Sequence, residues 1–174
     1  EAQKRGYQIY YYEPHNLSFI DGKVSAKCFQ LTFFEKTKKF YKINKKLNFD
    51  LSKAKVLLIR NEPPFNQQYI NTTFILEHLA KKVKIINHPK SIREVPEKLF
   101  SIRLVKYMPS TLISENLEEI KEFFKTNKKV IVKPINSYSG NEVLLLNGFN
   151  SKIITRYIKK HNHIIFQKFL PKIS

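Results

Sequence analysis

The sequence predicts an α/β fold, in which one domain built on a parallel sheet is followed by the opening half of a second domain. Three observations carry this expectation. KVLLIR at 55–60 is a short apolar run, as expected of a strand buried on both faces of a parallel sheet. Tyr69, Ile70, Phe74, Ile75 and Leu79 then recur at helical spacing, and VKIIN at 83–87 closes a strand–helix–strand unit. Beyond residues 107–109 a fresh alternation of strands and helices begins.

Taken in order, EAQKRG reads as the tail of a helix ending at Gly6, and YQIYYYE (7–13) as a tyrosine-rich strand ended by Pro14. Residues 17–20 and 23–33 flank Asp21-Gly22, a hairpin signal, and a further short strand is expected at 40–43. KVLLIR must stop at NEPPF, because its two prolines cannot continue a strand. An amphipathic helix is expected over 67–82 and another over 91–104, with Pro96 near a local helix start. A break near Tyr107–Pro109 precedes the strand PSTLIS. Ser114 is placed to cap a helix that carries Leu117, Ile120, Phe123 and Phe124 on one face. VIVKP and VLLL make two strands around a polar loop, 150–160 a helix and HIIFQKF (163–169) a last strand.

Composition narrows the function classes. Among 174 residues, 42% are hydrophobic and 13% aromatic, which suits a folded globular chain rather than a disordered one. No apolar run approaches the roughly 18–20 residues of a membrane span, the start lacks a signal-peptide pattern, and Cys28 is the single cysteine. A reducing, cytoplasmic setting is expected. The net charge of +18 invites a nucleic-acid reading, yet all but five of the 32 basic residues are lysine and they spread along the whole chain. The five histidines and Cys28 form no metal-ligand pattern, and no catalytic triad or paired-carboxylate set stands out.

Lys133 ends the apolar strand VIVKP, ahead of Ser137, Ser139 and Gly140. On spacing alone its ammonium either snorkels to solvent or meets a phosphate, with the loop offering hydroxyls and open backbone to the same anion. Neither the GxxxxGK[ST] nor the GxGxxG pattern is present. Lys98, beside Leu99 and Phe100 on a mostly apolar helix, reads by itself as a solvated helix lysine. Arg60 ends KVLLIR either facing a crevice at the sheet's carboxyl edge or paired with a carboxylate.

Taken together, EAQKRGY (1–7), RNEPPFNQQYI (60–70), INHPKSIREVPEKLF (86–100), VIVKP (130–134) and FQKFLP (166–171) resemble prokaryotic glutathione synthetase, an ATP-grasp ligase, over essentially the whole chain. The resemblance implies a pre-ATP-grasp α/β domain with a parallel sheet over 1–97, followed by the first half of an ATP-grasp domain over 98–174. It places Lys98 and Lys133 on the two ATP-contacting lysines, and Ser139 and Gly140 in the loop covering the triphosphate. Gln167, Phe169 and Leu170 fall on the segment that meets the adenine. Arg60, from its place at the strand end, is the substrate-side candidate.

The implied reaction joins γ-glutamylcysteine to glycine through an acyl-phosphate, with ATP and Mg2+, in a cytoplasmic homo-tetramer that binds neither nucleic acid nor membrane. The family's metal ligands and catalytic arginines fall downstream of Ser174. The chain is therefore expected to be a piece of a longer protein and inactive by itself, with no catalytic or metal-binding residue of its own. The loop departs from the family in keeping one glycine, Gly140, among Ser137, Tyr138 and Ser139, and Lys168 stands where a neutral polar residue is common. The rival readings are another ATP-grasp carboxylate–amine ligase and a basic nucleic-acid-binding module.

Overall fold

A computed structural model describes residues 1–35 and 38–171. It divides into two compact units, Glu1–Glu94 and Val95–Ser174.

In the first unit a four-stranded antiparallel sheet is organised around its longest strand. Strand β1 (Ile9–Tyr11) and strand β2 (Leu17–Ile20) pair with successive stretches of β3 (Lys23–Phe33), and β4 (Tyr41–Asp50) pairs with β3 throughout. Asp21 and Gly22 both adopt positive φ, 47° and 81°, which a two-residue hairpin turn demands and which Gly22 accepts without steric cost. The strand expected at 40–43 runs on to Asp50. Its polar stretch of Asn44, Lys45 and Lys46 hides it from a hydrophobicity reading, but β3 supplies the ladder bonds. Lys46 Nζ sits 5.4 Å from the centre of the Phe29 ring.

Strands β5 (Val56–Leu58) and β6 (Lys84–Ile86) are parallel and are linked by helix α1 (Gln67–Glu77). Leu57, Ile59, Leu76, Leu79, Val83 and Ile85 share one core with Val24, Ala26 and Cys28 of β3. Two expectations need correction. First, β5 is buried on one face only, since its side chains alternate and Val56 and Leu58 are exposed. Second, α1 ends at Glu77 and buries Thr72, Thr73 and Leu76, while Phe74 is exposed.

The threonines can face the core because their hydroxyls donate to helix carbonyls, Thr72 to Gln68 at 2.9 Å and Thr73 to Ile70 at 2.6 Å. Arg93 closes this face from the outside. Its guanidinium lies 3.9 Å from the Phe74 ring centre, donates to Thr73 Oγ1 and pairs with Glu77. The continuous helix expected over 91–104 is also broken. Helix α2 (Pro89–Glu94) stops short of Pro96, whose ring disfavours helical backbone at Val95, and 3-10 turns interrupted at Leu104 cover Phe100–Tyr107.

The second unit contains β7 (Thr111–Ser114), α3 (Leu117–Thr126), β8 (Val130–Pro134), β9 (Leu144–Leu146), α4 (Ser151–His161) and β10 (Ile164–Lys168). The strand order is β7-β10-β8-β9, antiparallel throughout. Ile120, Phe124 and Ile154 from the helices pack on Val130, Val132, Ile164 and Phe166 from the sheet. The cap of α3 is Asn116, not Ser114. Asn116 Oδ1 accepts from the amides of Glu118 and Glu119, whereas Ser114 Oγ donates to Glu119 and accepts from the Asn116 amide one step upstream.

Candidate functional site

The two faces of the second unit's sheet have different chemistry. Alternation sends Val130, Val132, Ile164, Phe166 and Leu112 to the face covered by α3 and α4. The same register places Ile131 and Lys133 of β8, Ile165 and Gln167 of β10, and Thr111 and Ile113 of β7 on the opposite face. Lys133 is therefore presented by strand parity. It stands one residue before the end of β8, where Pro134 closes the strand.

Lys133 is half-buried, and its Nζ donates to Gln167 Oε1 at 2.9 Å. Gln167 in turn donates from Nε2 to Thr111 Oγ1 at 2.9 Å. Lys98 reaches the same strand end from the segment before the 3-10 turn. Its Nζ donates to the carbonyls of Pro134 at 2.6 Å and Ser137 at 2.5 Å, and to Ser137 Oγ at 2.7 Å. Burial pushes the Lys98 pKa below the ordinary lysine range. The positive charge of Lys133 adds to that shift, and Glu97 opposes it.

Among the described residues neither lysine forms an ion pair with a carboxylate. Two half-buried ammonium groups held near one another without a counter-ion make a site suited to a polyanion.

The loop at 135–143 borders this strand end. Ser139 and Gly140 are exposed and take consecutive left-handed conformations, φ 53° and 70°. Only Gly140 does so without strain. A turn bond from the Asn141 amide to the Tyr138 carbonyl, 3.0 Å, shapes the loop tip. Its far end is tied to α4, where Glu142 pairs with Lys160 and lies 3.4 Å from His161 Nε2. The Lys160 bond holds the Glu142 pKa below the usual carboxylate range, against a smaller upward push from desolvation.

Of the residues singled out from sequence, Lys98, Lys133 and Gln167 converge. Ser139 and Gly140 stand in the adjoining loop. Phe169 and Leu170 follow the end of β10: the Phe169 amide donates to the Lys129 carbonyl at 3.0 Å, and Leu170 is exposed. Arg60 belongs to the first unit, is exposed and forms no ion pair among the described residues. Sequence reasoning did not find Thr111, or the role of Ser137 as an acceptor for Lys98. Thr111 lies 56 positions from Gln167, so no local pattern could have linked them.

This arrangement of sheet and helices is that of an ATP-grasp fold. Solved structures show the same fold. D-cycloserine synthetase DcsG superposes with a TM-score of 0.55 at 15% identity, covering 70% of this chain and 46% of that one. The ATP-grasp ligase PsnB, complexed with a phosphomimetic variant of its minimal precursor, Mg and ADP, gives 0.55 at 13% identity over 97% of this chain and 58% of that one.

The family is narrower than the fold. Residues 1–93 match the N-terminal domain of prokaryotic glutathione synthetase, and residues 97–174 match its ATP-grasp domain. The chain belongs to the prokaryotic glutathione synthetase family. The glutathione synthetase of Anaplasma centrale is 33% identical over all of this chain and 56% of its own length. That of Mesorhizobium japonicum is 39% identical over 80% of this chain and 45% of its own length. The chain thus spans about half the length of the curated relatives it matches.

Proposed function

We propose that a protein carrying this chain at the length of its relatives joins γ-glutamylcysteine to glycine at the expense of ATP. The observation that carries this reading is the pair of half-buried ammonium groups, Lys98 and Lys133, at the end of β8 with no carboxylate partner. In the reaction, the substrate carboxylate attacks the γ-phosphorus, ADP leaves, and the glycine amine displaces phosphate from the acyl-phosphate.

The roles of this chain's residues follow from their chemistry. Lys98 and Lys133 neutralise and orient the phosphates, and binding there replaces water with fixed donors. The loop with Ser139 and Gly140 brings a hydroxyl and an unobstructed backbone over them. Gln167, Phe169 and Leu170 border the base, and Arg60 is assigned to the substrate side. Mg2+ supplies charge neutralisation at the phosphates when bound. No group of three His, Cys, Asp or Glu side chains comes together among the described residues. The protein ligands of the ion are assigned outside them.

No helix of the described residues is long and apolar enough to cross a membrane, and the buried free thiol of Cys28 suits the cytoplasm. A homo-tetramer is the assembly we assign, to be read by light scattering.

The experiment is a ligation assay with ATP, glycine and either γ-glutamylcysteine or other dipeptides, following ADP release and product mass. Preference for γ-glutamylcysteine is expected, with nucleotide affinity strongly reduced in Lys133→Ala. Preference for a different carboxylate would make the protein another ATP-grasp ligase, and unchanged affinity in Lys133→Ala would end the phosphate reading altogether.

A further inference from the structure

The hydrogen bonds of Lys133 continue beyond Gln167 and end on backbone, in an order that only one set of donors satisfies. An ammonium can only donate, so the Gln167 atom facing Lys133, at 2.9 Å, must be the amide oxygen. The amide nitrogen therefore points the other way, toward Thr111 Oγ1 at 2.9 Å, and the hydroxyl must accept there. Its single proton then goes to the Pro109 carbonyl at 2.7 Å. The peptide next to that carbonyl is pinned by the bond from the Lys168 amide to the Ser110 carbonyl, 2.8 Å. The chain runs ammonium to amide to hydroxyl to carbonyl across three strands, with Thr111 directly opposite Gln167 in the β7–β10 register. Each member uses its polarity once.

A threonine hydroxyl is what this order requires, because the group at 111 must accept and donate at the same time. Without it the Gln167 amide loses the partner that fixes its rotation, and its oxygen no longer stands reliably under Lys133. A free lysine stem loses rotamer freedom when it binds, so holding it in place before the anion arrives improves binding without adding a contact to the ligand.

We propose that Thr111 is a positioning residue of the nucleotide site, acting through Gln167 to set Lys133 against the phosphates. The proposal rests on the ATP reading of that site. It adds a residue that touches neither lysine and that no feature of the sequence marks.

The test is titration of MgATP against the protein and its variants, with melting temperatures recorded alongside. Thr111→Val keeps the shape and strand preference of the side chain and removes the hydroxyl. It is expected to weaken ATP binding roughly tenfold, while Thr111→Ser stays within about twofold of the parent. In the protein at the length of its relatives, the loss should sit in KM for ATP, with kcat at saturating ATP retained, which a general loss of fold would not produce. Because both residues act on one ammonium, Thr111→Val added to Gln167→Ala should cost nothing further.

Wild-type affinity in Thr111→Val, equal weakening by Thr111→Ser, or simple additivity with Gln167→Ala would each overturn the role of Thr111. If Lys133→Ala binds ATP as well as the parent does, the ATP reading itself falls and this proposal falls with it. Strong weakening by Lys133→Ala with an unaffected Thr111→Val removes the positioning role alone.

Discussion

Replacing Lys98 with methionine tests how the loop at 135–143 is held. Methionine keeps the aliphatic stem and removes the ammonium that now serves the Pro134 carbonyl, the Ser137 carbonyl and the Ser137 hydroxyl. A hydrogen bond to a charged group contributes about 1.5–3 kcal/mol when well buried. Lys98 is only half-buried and the freed carbonyls can take up water, so the three bonds together are assigned about 2 kcal/mol rather than their sum. At a factor of ten per 1.4 kcal/mol, that is roughly a thirtyfold rise in the open population of the loop.

Amide hydrogen exchange reads this directly. Protection should fall about thirtyfold at loop amides such as Asn141, which bonds to the Tyr138 carbonyl, while β8 and β10 exchange as before. On the proposed function, ATP affinity should drop at least tenfold in the same variant, because the proposed site would keep only one of its two cations. Unchanged loop protection in Lys98→Met would refute the reasoning, since it would mean that the three contacts contribute nothing to ordering the loop.

Other outcomes follow from the same structure. The Lys98 pKa is depressed, first by burial and then by Lys133, so this group loses its proton at lower pH than an ordinary lysine. The folded state binds that proton less well than the unfolded chain, so the associated destabilisation is present at neutral pH and is relieved as pH rises through the folded pKa. ATP affinity moves the other way. It should fall on alkaline titration before the ordinary lysine range is reached, and a profile identical to that of Lys98→Arg would contradict this. Phe166→Ala removes a side chain with no solvent exposure that packs edge-on against Phe124, and should cost about 3–5 kcal/mol in denaturant unfolding of the second unit. Gly140→Ala meets open space but forces a side chain into φ +70°, so a cost of about 1 kcal/mol confined to loop exchange is expected, with the melting of β8 unaffected.

Much of this protein was determined by local sequence, because the forces that place most of its elements are local. Asp21-Gly22 set the hairpin between β2 and β3, since few other pairs tolerate positive φ twice in succession. The apolar run at 130–132 set β8, and strand parity put Lys133 on the face away from Val130 and Val132. The family motifs marked Lys98 and Lys133 for the same reason: they are short, contiguous patterns.

Tertiary structure alone decided the remainder. The length of β4 came from its pairing with β3, which outweighed its polar composition. The buried face of α1 came from threonine hydroxyls satisfied within the helix, which allowed Thr72 and Thr73 to displace Phe74 from the core. Thr111, Gln167 and Lys133 meet only because β10 lies between β7 and β8, an order that sequence neighbours do not encode. A strand's face follows from the period of its own residues, whereas its neighbours are chosen by the packing of the whole sheet.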